Sequence, residues 1–201
     1  MAFLPQVDIR RNILDVTRRL LIEQGTTRLS IRMIAREVGC SVGTIYVYFE
    51  NKDVLIHALI EEGFDKLVEM QEQTEKAVSD PLQRLSALCR NYIRFAMQNP
   101  EYYEIMFMLK PERMARYPAE KYRKARRSLE IIAAALEQCG AKGLMSVAEP
   151  YMEAHLIWAF MHGIVSLIGV KRIDHRFAEA EITEAAIQRI IEMNLKEKER
   201  S

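Results

Sequence analysis

Ser30-Ile31-Arg32-Met33-Ile34-Ala35-Arg36-Glu37-Val38-Gly39-Cys40-Ser41-Val42-Gly43-Thr44-Ile45-Tyr46-Val47-Tyr48-Phe49 reads as two short helices and the turn between them. Ser30 is an N-cap type, and Ile31, Ile34, Ala35 and Val38 follow at helical spacing. Gly39-Cys40-Ser41 breaks that helix, glycine being the residue that accepts the positive φ of a sharp turn. Ser41 caps the next helix, which ends near Phe49. Ile34, Ala35 and Val38 face Ile45 and Phe49, so the two helices pack as a helix-turn-helix. In such a unit the second helix enters the major groove with its N-terminal end at the bases. Here that end is Val42-Gly43-Thr44, with Tyr46, Val47 and Tyr48 behind it. The hydroxyls of Thr44, Tyr46 and Tyr48 remain once the apolar positions are used. Ser30 and Asn51-Lys52 set helix N-termini where phosphates bind. Seven arginines (10, 11, 18, 19, 28, 32 and 36) stand against four acids before Phe49, in a chain whose formal net charge is only +1. That bias supplies the attraction to phosphate on which DNA binding rests.

The 201 residues carry 49% hydrophobic and 28% charged side chains with only 8 Gly and 6 Pro, the composition of an all-α globular chain. A first helix is expected from Gln6 to Gln24, stopped by Gly25, and a long one from Lys52 to about Ala77. Asp80-Pro81 opens a helix with Leu82, Leu85, Leu88, Tyr92 and Phe95 on one face. Asn99-Pro100 opens a short aromatic helix, and Pro118 a longer one that ends at Cys139-Gly140. Ser146-Val147-Ala148-Glu149 reads as a capping box before a helix to Gly169, and a last helix is expected from about Asp174. This gives a three-helix helix-turn-helix DNA-binding domain at 1–51, followed by a helical ligand-binding and dimerisation domain at 52–201.

Several classes are set aside. Three scattered cysteines give no disulfide framework. Ala2-Phe3-Leu4 is too short for a signal peptide, and the apolar stretch Leu156–Val170, at 15 residues, is short for a membrane span. A cytoplasmic protein without a membrane partner is expected. No GxGxxG, GxxxxGK, GxSxG or HExxH occurs. His57 with Glu61, and His155 with His162, share helix faces but lack a third ligand, so no metal, cofactor or enzyme activity is expected.

The stretch Thr27 to Lys52, with its Gly43-Thr44-Ile45-Tyr46-Val47-Tyr48-Phe49-x-Asn51-Lys52 core, resembles the DNA-binding domain of the TetR family of transcriptional regulators over about residues 6–66. Asn99-Pro100-Glu101-Tyr102-Tyr103 and Trp158-x-x-x-His162-Gly163 resemble the C-terminal regions called WHG domains. The resemblance implies an Ω-shaped homodimer of about nine helices per chain. It implies that Thr44 and Tyr46 face the groove, that Tyr48 meets a phosphate, and that Lys52 sits at the start of the fourth helix beside another. Ser30 and Arg32 match a phosphate contact and a base-edge contact. Val42 departs from the Lys or Gln common in relatives. No charge lies between Cys40 and Phe49, so base reading leans on hydroxyls, methyls and Arg32.

In the second half, Ile182, Ala186, Ile190 and Met193 form one stripe of the last helix, and Ile187, Ile191 and Leu195 a second. So wide an apolar face predicts packing on the helix's own core and on a partner chain. A homodimer through the last two helices is expected, with Ile187 and Ile191 near its axis and Gly163, Ser166 and Gly169 allowing close approach. Tyr92, Phe95, Tyr103, Phe107 and Trp158, with His162 as polar anchor, form a candidate pocket for a mostly apolar effector, among methionines and Tyr102. The run Lys110 to Arg127 holds eight basic residues against two acids. Together these readings predict a ligand-responsive repressor binding a palindromic double-stranded DNA operator. The alternative is an enzyme acting on an apolar small molecule in the C-terminal pocket.

Overall fold

A computed structural model describes residues 8–109 and 123–195. These residues form nine α-helices: α1 Ile9–Arg28, α2 Ile31–Val38, α3 Val42–Tyr48, α4 Lys52–Ala77, α5 Pro81–Gln98, α6 Pro100–Phe107, α7 Arg123–Ala141, α8 Pro150–Gly169 and α9 Glu179–Asn194. An isolated antiparallel bridge joins Met145 and Leu195. The expected helix starts at Gln6 and Pro118 and most of the basic run lie outside the described residues.

Local chemistry sets most boundaries. Asp8 caps α1 by accepting from the Arg11 N–H at 3.1 Å. Gly25 (φ 72°, ψ 171°) breaks α1 as expected, and one further turn runs to Arg28. Ser30 and Ser41 cap α2 and α3, and Gly39 adopts the left-handed φ 78°, ψ 31° that the turn requires. Asn51 Oδ1 accepts from Val54 N at 2.9 Å to start α4, and Asp80 from Gln83 N at 2.9 Å to start α5.

Two starts differ from expectation. Ser146 does not cap α8. Glu149 does, accepting from Met152 N, in extended backbone (φ −138°, ψ 99°). Pro150 disfavours helical backbone in the residue before it, so the helix begins only at the proline. Asp174 does not open α9, because its carboxylate folds back onto Arg176, whose N–H it accepts at 2.9 Å. The helix starts five residues later at Glu179, and Glu181 accepts from the Ala178 N–H at 3.3 Å.

By compactness the described chain divides into residues 8–63 with 101–109, and residues 64–100 with 123–195. The first unit is built on Ile13, Leu21, Ile34, Ile45, Leu55, Leu59 and Ile105, all buried together. α6 therefore belongs to it, packed on α4 at Gly63, where a Cβ would collide with the Met106 thioether.

In the second unit α5 packs against α7, α8 and α9. α8 is 20 residues long and, by length and composition alone, apolar enough to cross a bilayer. It is longer than the Leu156–Val170 stretch because Pro150–His155 adds more than a helical turn. One face, Ala154, Ile157, Met161, Val165 and Ile168, is core. Met152, Leu156, Phe160, Leu167 and Val170 are exposed. α9 departs from expectation at Ala186, Ile187, Ile190 and Ile191, which are 3–7% exposed and covered by their own chain, so Ile187 and Ile191 do not face outward toward a dimer axis, whereas Ile182 is half-buried and Met193 is exposed.

Candidate nucleic-acid interface

α3 stands on the first unit's core through Ile45 and Phe49, which are fully covered, and Val42 packs against the same cluster. Val42 thus points partly inward, and the outer face is left to Tyr46, Val47 and Tyr48, at 52%, 79% and 43% exposure. At the N-terminal end the Ser41 hydroxyl accepts from Thr44 N (3.0 Å) and lies 2.9 Å from Thr44 Oγ1, which orients both hydroxyls. Gly43 is exposed; a Cβ there would make only an ordinary 3.5 Å contact with Ser41 Oγ. Nothing in the described residues requires glycine at that position.

On α2, Ser30 Oγ is engaged with Met33 N at 3.2 Å, and Arg32 is exposed with no carboxylate at ion-pair distance among the described residues. Lys52 turns its ammonium onto the carbonyls of Thr26 (2.9 Å) and Leu29 (3.3 Å), so its side chain ties α4 to the end of α1. Any phosphate contact at that position then falls to the main-chain N–H groups of the helix start.

The seven arginines are not equivalent. Arg11 pairs with Asp15 (2.6 Å) and Glu62 (2.8 Å), Arg18 with Glu101 (2.9 Å) and Asp15 (3.2 Å), and Arg19 with Glu37 (3.1 Å). Hydrogen bonding to Asp15, then Glu62, holds the Arg11 guanidinium charged, against the opposing effect of burial. Arg10 lies over the Phe49 ring at 5.4 Å. Arg28 and Arg32 face no acid among the described residues, so the positive field is concentrated near the start of α2.

One part of this unit was not visible in sequence. Tyr102 Oη donates to Glu62 at 2.6 Å and accepts from Arg18 at 2.7 Å, joining α6 to α1 and α4. Its partners lie 84 and 40 residues away, beyond any helical periodicity.

The second unit assembles part of the expected effector cluster. Trp158 Nε1 donates to Tyr92 Oη at 3.1 Å, His162 Nδ1 lies 3.3 Å from the same oxygen, and the Trp158 and His162 rings are 5.5 Å apart. Tyr92 and Phe95 are fully buried. Burial pushes the His162 pKa below its ordinary 6.5, favouring the neutral ring. Tyr103 and Phe107 fall in the first unit and pack on each other at 5.1 Å. Among the described residues no cluster of His, Cys, Asp or Glu is arranged to hold a metal ion.

An all-helical chain presenting a capped helix-turn-helix with an exposed second helix is a helix-turn-helix DNA-binding fold. Sequence models agree: one described as bacterial regulatory proteins, tetR family, matches residues 13–59, and one described as tetracyclin repressor-like, C-terminal domain, matches residues 85–193, more than half of the chain. The chain belongs to the TetR family of transcriptional regulators. It is 27% identical over 95 residues to an uncharacterized HTH-type transcriptional regulator of Haemophilus influenzae, covering 47% of this chain and 51% of that one. It is 28% identical over 74 residues to the fatty acid metabolism regulator protein of Bacillus subtilis, covering 37% and 38%. The chain thus spans about half the length, or less, of these curated relatives. A Rhodococcus sp. RHA1 protein of unknown function has the same fold along its length, with a TM-score of 0.82, 23% identity, and coverage of 98% of this chain and 100% of that one.

Proposed function

We propose that this chain is a ligand-responsive transcriptional repressor that binds a palindromic operator as a homodimer and is released by a mostly apolar small molecule. DNA reading is assigned to residues 1–51, and effector binding and dimerisation to 52–201. The observation that carries the reading is α3, whose buried face is complete while Tyr46, Tyr48 and the bare backbone at Gly43 face outward and Thr44 is half-buried at its N-terminal end. Arg32 is the base-edge candidate, Tyr48 a phosphate contact, and Ser30 and Lys52 mark helix N-termini beside phosphates. A regulator of this kind works where the DNA is, hence in the cytoplasm.

The Tyr92–Trp158–His162 cluster supports an effector with an apolar body and one polar end. The Bacillus subtilis relative, named for fatty acid metabolism, is in keeping with that class. The exposed apolar face of α8 supports dimerisation there, with α9 backing it from within the chain.

DNA selected from the source genome by the purified protein should yield a near-palindrome with half-sites about one helical turn, roughly 34–36 Å, apart or a multiple of it. On that site Tyr48→Ala should weaken all sequences alike, and Arg32→Ala should lower discrimination by about 1–3 kcal/mol. Both side chains are exposed, so the fold should survive. Undiminished affinity and specificity in the double variant would refute the assignment.

A further inference from the structure

On α5, Ala87, Arg90 and Arg94 recur at helical spacing on the face turned away from Tyr92. This face borders an open groove of about 420 Å³ against the second half of α4, its apolar floor made by Met70, Ala77, Val78 and Ala87. A second groove of about 280 Å³, lined in part by Ile93, Met97 and Ile168, lies on the other side of the same two arginines. All of these residues belong to the second unit.

The two arginines are treated differently. Arg90 is neutralised by a two-pronged pair with Glu184, at 2.9 and 2.6 Å. Arg94, one turn on, has no carboxylate at ion-pair distance among the described residues. Its partner is neutral: Nη2 donates to Asn91 Oδ1. Asn91, 7% exposed, cannot easily turn away, because its amide donates to Thr74 Oγ1, and Thr74, 8% exposed, donates to the Met70 carbonyl at 3.0 Å. A buried relay from the α4 backbone thus fixes one edge of the Arg94 guanidinium and leaves its remaining N–H groups for the groove. A guanidinium fork held this way matches a carboxylate.

We propose that this groove is a binding site for an aliphatic carboxylate, its head on Arg94 and its tail over Met70, Ala77 and Val78. The site goes beyond the effector cluster of the proposed function and is separate from it, since Tyr92, which meets Trp158 and His162 of α8, lies on the opposite face of α5.

Calorimetric titration of the full chain with decanoate, and with decan-1-ol as its uncharged counterpart, tests the site. Decanoate should bind, and decanol about tenfold or more weakly, as expected when a charge-assisted hydrogen bond is removed. Arg94→Gln should lose about tenfold in decanoate affinity at the groove with unchanged helix content, whereas Trp158→Leu should leave that Arg94-dependent binding within error. Absence of decanoate binding, or equal binding by wild type and Arg94→Gln, overturns the site. Loss in Trp158→Leu but not in Arg94→Gln also overturns it and moves the anion to the effector cluster. Operator affinity of Arg94→Gln without ligand, expected to be unchanged, is a separate readout of the proposed repressor, so the two readings fail independently.

Discussion

Gly43 separates what the fold needs from what a ligand needs. Its backbone is ordinary helix, and a Cβ would meet only Ser41 Oγ at 3.5 Å. Alanine is a better helix former than glycine by about 1 kcal/mol. Gly43→Ala should therefore leave stability unchanged or raise it, while operator affinity falls because the DNA loses its close approach. Thermal melting and a DNA titration on the same sample check both halves; unchanged DNA affinity would make Gly43 a bystander. His162 offers a test in pH. Its folded pKa lies below the ordinary 6.5, so the unfolded chain takes up the proton first. Its contribution is complete above about 6.5 and is lost as pH falls through that value toward the folded pKa. His162→Gln should lose less melting temperature than wild type between about pH 7 and pH 5. Equal losses would show that the ring does not report its burial.

Among the elements, α8 and α9 do not share equally the interface role that hydropathy assigns to both. Ile187, Ile190 and Ile191 of α9 are covered within the chain, and the uncovered stripe is Met152, Leu156, Phe160 and Leu167 on α8, with Val170 just past its end. A stripe of large apolar side chains left in water marks an interaction surface, and a twofold partner would cover it with its own copy. Leu156→Glu with Phe160→Asp should yield a folded monomer by sedimentation, with weaker operator binding. Ile187→Glu should instead lower the melting temperature, because it buries a charge. A folded dimer in the first variant would exclude α8 as the interface.

For the whole molecule, regulation requires that effector and DNA prefer different states of the same chain. α6 is tied to α1 and α4 by Tyr102, Arg18 and Glu62 and seated at Gly63, within the same compact unit as the helix-turn-helix. A compound recovered bound to the protein from its host should lower operator affinity by about 5- to 150-fold, the range of a 1–3 kcal/mol coupling. Reciprocally, the operator should weaken that compound by the same factor. Tight binding without mutual effect would remove the compound as an effector.

The helix-turn-helix was legible in sequence almost residue by residue, because its determinants are local. Ser30 and Ser41 cap within three residues, Gly39 supplies its own left-handed φ, and Ile34 and Ile45 meet across a three-residue turn. The Pro150 start of α8 is equally local, with Ser146 offering a competing capping motif that Glu149 displaces. What the tertiary structure alone decided involves partners far apart in the chain. Three arginines were withdrawn from the DNA-facing charge by acids, Glu62 and Glu101 among them, brought in from other helices. Tyr102 changed from a pocket aromatic into a hydrogen-bonded tie. The apolar faces of α8 and α9 look alike in sequence, since periodicity records that a face is apolar and not which neighbour covers it. Only the packing of α5, α7, α8 and α9 settled which of the two stays uncovered.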